Sequence, residues 1–207
     1  MKKTITVLIL LVSTIAFAQD QYTKGMQKAF QLWGEGKTTE ASNMFERISK
    51  AEKDNWLPYY YVTSVNTTAS FGETDVKKLT QQLEKAQEFI DVANRISPNN
   101  PEILVQQAML YTAWIAFDGA TYGMTLAPKV TTIYGKALEM APDNPRVVFC
   151  KAEWDIGSAQ FFGGDTTPFC EDIEYSIELF DTFKAESSFH PNWGKERAIL
   201  TLENCGK

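Results

Sequence analysis

The chain has 207 residues, 20 of them basic and 26 acidic, for a net charge of −6, and 44% of it is hydrophobic. That length supports about one domain with a continuous core, and the acidic balance argues against a nucleic-acid backbone or an anionic lipid surface as the main partner. A single histidine, and three cysteines of which no two lie at zinc-knuckle spacing, leave no signature of a metal site.

Lys2-Lys3, an apolar run from Ile5 to Phe17 and the small-residue pattern Ala16-Phe17-Ala18 read as a secretory signal, cleaved between Ala18 and Gln19. The run is shorter than the roughly 20 residues a membrane span needs, and no stop-transfer segment follows. The expectation is a signal peptide over 1–18 and a single soluble domain over 19–207, periplasmic or secreted, with no stable membrane insertion once the signal is removed. Without Lys2 and Lys3, eighteen basic residues face twenty-six acids and the charge is near −8.

From Asp20 the pattern is helical, with Ala29, Leu32, Gly36, Ala41, Phe45 and Ile48 at repeating intervals. A second unit opens near Asp54-Asn55 with Trp56-Leu57-Pro58 and the run Tyr59-Tyr60-Tyr61, three rings in three directions around a helix, so at least one should be exposed or face a groove. It turns at Phe71-Gly72-Glu73-Thr74, and Asp75 caps a long helix carrying Ala86, Ile90 and Ala93 up to Pro98. Ser97-Pro98-Asn99-Asn100-Pro101-Glu102 then returns 44 residues later as Ala141-Pro142-Asp143-Asn144-Pro145-Arg146, with a looser third copy at His190-Pro191-Asn192-Trp193. Each copy ends a helix that cannot pass a proline and starts the next with Asn as N-cap and Pro at the first helical position.

In the third unit Leu104, Ala108, Tyr111 and Ile115 share one face of a helix over 101–117, about 26 Å long. A turn over 118–127 holds Tyr122, Met124 and Leu126, and Pro128 restarts the chain toward Tyr134, Ala137 and Pro142. The fourth unit runs from Pro145 through Val148, Ala152 and Ala159, with Asp155 at the place of Tyr111. A carboxylate there needs a partner such as a Tyr hydroxyl or an Arg. Its second helix opens at Thr167-Pro168 and runs to about Ser187. A last helix, from about Trp193 to Glu203, reads as the cap that repeat arrays require.

These spacings resemble the tetratricopeptide repeat, in which a small residue and an aromatic face the partner helix and Ala and Phe close the second helix. Leu32 stands where the family has Tyr, and the units are 44 and 49 residues between prolines, against about 34 in the family. The resemblance implies an all-α, right-handed α-α solenoid of about four helix-turn-helix units plus a C-terminal capping helix. It also implies a groove lined by the first helix of each unit, with Tyr60, Glu102, Met109, Arg146 and Glu153 as partner-binding positions.

The turns within the units, at Trp33, Phe71, Phe117 and Phe162, each set an aromatic beside glycine and an acid. Stacked in an array they form a row, either as helix ends closed by left-handed glycine or as an aromatic, acidic ridge for a cationic or apolar partner. Helix geometry settles the cysteines. Cys150 and Cys170 lie roughly 14 Å apart along the helix axis, beyond the limit of about 7 Å, whereas Cys205 climbs its helix to the level of Cys170. Cys170 bonded to Cys205, with Cys150 a buried free thiol, is the expected arrangement.

No catalytic constellation emerges. His190 sits in a proline turn that suits capping or solvent exposure, Glu171-Asp172 occupies a helix start where negative charge is favoured, and Phe162-Gly163-Gly164-Asp165 lacks the lysine of a phosphate loop. No cofactor and no metal is expected. The sequence reads as an exported non-enzymatic scaffold for an envelope or secreted protein or peptide. The alternative is a small-solute-binding accessory subunit of an envelope transport system, marked by an enclosed cavity near Trp114, Tyr122, Trp154 and Asp155.

Overall fold

The computed structural model describes residues 19–205. The expected signal peptide, with Ala18 at its cleavage point, lies outside the described residues. Nine α-helices run through them in chain order: α1 over 19–34, α2 Thr38–Ala51, α3 Trp56–Ser70, α4 Val76–Ile96, α5 Pro101–Phe117, α6 Gly119–Met140, α7 Pro145–Phe162, α8 Cys170–Thr182, preceded by a 3₁₀ turn Thr167–Phe169, and α9 Lys195–Asn204. No strand occurs among the described residues.

The helix starts follow local chemistry. Asn55, Asp75, Asn100, Asp118 and Asn144 each accept a hydrogen bond from a backbone N–H of the first turn, and Pro101 and Pro145 occupy the position where a missing N–H costs nothing. Consecutive helices pack on one another, while α3 also packs on α5 and α5 on α7. First helices stacking on first helices is the signature of a helical solenoid. The core forms two clusters joined through α5, which gives Ile103, Leu110 and Ala113 to the N-terminal one and Val105 and Ala108 to the C-terminal one.

Two of the four aromatic turns end their helix on a left-handed glycine. Gly36 (φ 74°) follows Trp33 and Gly163 (φ 71°) follows Phe162, and the next amide in each case reaches back to close the last turn, Lys37 N–H to Leu32 O and Gly164 N–H to Ala159 O. The other two are built differently. Gly72 has no positive φ, and Gly119 opens α6 behind the N-cap Asp118. Nor do the aromatics form one ridge. Trp33 packs against Phe30, Phe45 and Tyr61, and Phe117 is half-buried beside Trp114, whereas Phe71 and Phe162 are exposed.

The expected turn over 118–127 is helix. Asp118 nucleates α6 at once, and Pro128 lies inside it. Proline removes the bond that would run back to the carbonyl of Met124, a loss tolerated where that turn meets solvent, and the Met124 side chain is exposed. The Tyr122 and Trp114 rings meet at a tilt of 50°, with centroids 5.0 Å apart.

The third proline turn departs furthest from expectation. Instead of Asn192 capping a helix at Trp193, residues 183–194 leave α8 and cross back over the first two units before α9 begins. Phe189 meets the rings of Tyr22 and Phe30, and its carbonyl accepts from Tyr61 Oη at 2.8 Å. Gly194 (φ 117°) ends the excursion so close to α8 that a Cβ would stand 2.8 Å from the Phe180 ring. This return strap also covers α3, which corrects the expectation of an exposed tyrosine. Tyr60 and Tyr61 are buried, Tyr59 is half-buried, and the Tyr59 hydroxyl donates to Ser49 O.

The disulfide joins Cys170 to Cys205, with Cys150 free and buried. Burial pushes the Cys150 thiol well above its ordinary pKa, which makes it inert. Alkylation of the native protein should therefore spare Cys150 until the chain unfolds. Replacing Cys170 and Cys205 with Ser should cost about 4 kcal/mol in chemical denaturation, the entropy of a loop closed over 35 residues; rapid native-state labelling of Cys150 would contradict this packing.

Candidate functional site

Three of the five predicted contact residues are not surface at all. Tyr60, Glu102 and Arg146 are fully buried, so they offer nothing to a partner. The cause is the 44-residue register, which sets Glu102 at the start of α5 beside its equivalent Arg146 at the start of α7. Arg146 Nε and Nη2 donate to the two carboxylate oxygens at 2.7 and 2.6 Å, and Asn144 Nδ2 donates to Oε1 at 2.7 Å. The return strap closes over the pair. The Phe183 ring lies 4.4 Å from the guanidinium, His190 Nε2 stands 3.6 Å from Glu102 Oε1, and Trp193 Nε1 donates to Tyr60 Oη at 2.9 Å.

His190, expected in a capping or solvent role, is thus a buried neighbour of Glu102, edge-on to Trp56. Burial works against the Glu102 carboxylate, but the hydrogen bonds from Arg146 and Asn144, the Arg146 charge and the neighbouring His190 ring outweigh it and hold its pKa below the ordinary 4.5. For Arg146, burial likewise opposes the charge and Glu102 more than restores it.

The other two predicted residues, Met109 and Glu153, line a groove of about 1240 Å³. Its floor comes from α5 and α7, one wall from α6 and the other from α9, with Cys205 at the edge. Small residues make the room. Gly119, Gly123 and Ala127 recur every four residues along α6, Gly157 faces them from α7, and a Cβ at Gly119, Gly123 or Gly157 would meet nothing within 4 Å. The lining is largely apolar, with Ile115, Met124, Trp154, Ile156 and Leu200, and Phe161 and Phe162 stand at the rim, each 83% exposed. Trp154 is fixed by its Nε1 donating to Thr131 Oγ1.

This is an open groove and not the enclosed cavity expected for the small-solute reading, and of Trp114, Tyr122, Trp154 and Asp155 only Trp154 lines it. Asp155 is instead paired with Lys151 one turn earlier, at 2.5 Å. Of the turn aromatics, Phe71 and Phe162 reach the groove, and Trp33 and Phe117 do not. Sequence reasoning missed Arg197, which lines the groove from α9 and donates through Nε to Glu153 Oε1 at 2.7 Å. The signal was present, since Met109, Glu153 and Arg197 follow one another at the 44-residue interval of the proline turns. Among the described residues no cluster of His, Cys, Asp or Glu is placed to hold a metal ion, and no helix is long and apolar enough to cross a membrane.

No protein-family model matches the sequence, and no curated protein does. Among solved structures, the HusA haemophore from Porphyromonas gingivalis is 23% identical, with 89% of this chain and 92% of that one covered at a TM-score of 0.75. A thermophilic TPR protein of Thermus thermophilus, TTC0263, is 12% identical over 88% of this chain and 97% of its own, at a TM-score of 0.45. The fold is an all-α helical repeat, as in the haemophore.

Breaking the buried pair from one side strands a charge. Arg146→Met should cost about 3–5 kcal/mol, and adding Glu102→Leu should recover most of that loss, since a well-packed apolar pair replaces a buried ion pair at little net cost. The lowered pKa of Glu102 carries a definite sign: the folded state resists protonation, so its stabilisation is present above the ordinary carboxylate value and is lost as pH falls through the lowered one. Denaturation between pH 7 and pH 3 should show this acid loss in the wild type and a shallower one in the double variant.

Proposed function

We propose that this protein is an exported, non-enzymatic binding protein whose groove takes a large, flat, apolar molecule of the tetrapyrrole class. One observation carries the reading. The groove exceeds the 300–1,000 Å³ of ordinary small-molecule pockets, and its walls are apolar and aromatic with few polar groups. A sugar, amino acid or inorganic ion would leave most of that surface bare, whereas a macrocycle can lay both faces against it. The likeness to a haemophore suggests haem itself. The single histidine lies in the buried cluster around Glu102, so retention of the macrocycle rests on its faces and edges and not on an imidazole in the groove.

A second reading keeps the protein or peptide partner. It is favoured by Phe161 and Phe162, whose rings sit edge to face at the rim with most of their surface in water. Exposed aromatic pairs of this kind suit a partner's apolar face. On this reading Met109 and Glu153 remain contact residues, while Tyr60, Glu102 and Arg146 do not.

Filling the groove separates binding from folding. Gly123 and Gly157 lie inside helices with open space ahead of their Cβ positions, so Leu there should leave stability unchanged or raise it by up to about 1 kcal/mol. Absorbance titration with haem and with iron-free protoporphyrin IX should saturate at one ligand per chain in the wild type. Gly157→Leu and Gly123→Leu should weaken it at least tenfold with unchanged circular dichroism. Absence of saturable binding, or binding indifferent to both fillings, would overturn the tetrapyrrole reading.

A further inference from the structure

Arg197 and Glu153 are the only charged residues lining the groove among those described. In a largely apolar site, an ion pair orients a ligand only if one member is free to change partners. Arg197 can do so. Its side chain is 62% exposed, its bond to Glu153 runs through Nε alone, and its two terminal nitrogens have no hydrogen-bond or ion-pair partner among the described residues. A solvent-exposed pair of this kind holds weakly, so replacing one carboxylate with another costs little. The planar guanidinium then presents two parallel N–H donors, the geometry that fits a carboxylate in bidentate fashion. The contrast with Arg146 is sharp, because that guanidinium is locked on Glu102 in the interior.

Resting on the reading that the groove takes a tetrapyrrole, we propose that Arg197 anchors a carboxylate of the ligand, so that the site selects a macrocycle with acidic side arms over its neutral counterpart. Glu153 holds the guanidinium at the α9 wall while the groove is empty and competes with the ligand for it. The occupant is therefore a flat amphiphile, with apolar faces against α5, α6 and α7 and its acid edge toward α9. An acyl chain with a carboxylate shares the anchor chemistry, but it would occupy only a fraction of a groove of about 1240 Å³.

The test uses the full mature chain and fluorescence titration with protoporphyrin IX and its dimethyl ester, with palmitate as a competitor. Wild type should bind the diacid about tenfold or more tightly than the ester. Arg197→Ala should remove that preference by weakening the diacid alone, Arg197→Lys should restore part of it, and Glu153→Gln should tighten the diacid severalfold. High salt should narrow the gap between diacid and ester. Equal binding of both forms, or a preference untouched by Arg197→Ala, would overturn the anchor while leaving the groove reading intact. Palmitate displacing the diacid stoichiometrically, with the same response to Arg197→Ala, would overturn the macrocycle as occupant. Binding of neither porphyrin would overturn both proposals together.

Discussion

The ion pair between Glu102 and Arg146 is the contact on which the remaining architecture depends. A repeat array ordinarily needs each unit to touch only its neighbours. Here two equivalent positions in successive first helices carry opposite charges, and bringing them out of water is tolerable only with close pairing and further hydrogen bonds. Arg146 supplies two donors and Asn144 a third, the latter from the same side chain that caps α7. One guanidinium nitrogen, Nη1, still lacks a hydrogen-bond partner among the described residues, and the face of Phe183 covers the cation. The need to roof this pair accounts for the return strap. Residues 183–194 close the interior, bringing His190 toward Glu102 and Trp193 to Tyr60, and so tie the last unit to the second.

The strap also explains the groove. The excursion lengthens the interval between prolines from 44 residues to 49, and α9 then packs on α8 and reaches α7 through the Arg197 to Glu153 bond. Met109, Glu153 and Arg197 then succeed one another as a ladder across α5, α7 and α9. Opposite them α6 presents a face of glycine and alanine where a packed solenoid would carry larger residues. Space opens because side chains are missing on the α6 wall.

Much of this was legible in sequence wherever the cause was local. The helix starts at Asn100 and Asn144 follow from an Asn-Pro pair that caps and begins a helix within three residues, and the Cys170 to Cys205 bond follows from counting helical rise. The unreadable features needed neighbours. Pro128 looks like a start signal because proline favours first turns, and only the solvent beside Met124 lets it sit mid-helix. Glu102 and Arg146 look like groove charges until the strap buries them. Arg197 was hidden although its interval was visible, because the third proline turn is out of step with the helix that follows it.

The α9 wall is where stability and binding meet. At ten residues this helix is too short to persist on its own, since isolated helices below about 12–15 residues are marginal in water. Its core anchor is the buried Ala198, which leaves Leu200 exposed and Arg197 free to face the groove. What fixes it is placed at its two ends: Gly194 lets the chain approach the Phe180 ring at one, and the disulfide from Cys205 to the start of α8 clamps the other. A tighter apolar seal along α9 would hold the helix better, but it would turn inward the side chains that now form the groove's second wall. The disulfide stabilises the wall without using that face, so the helix can be both clamped and available.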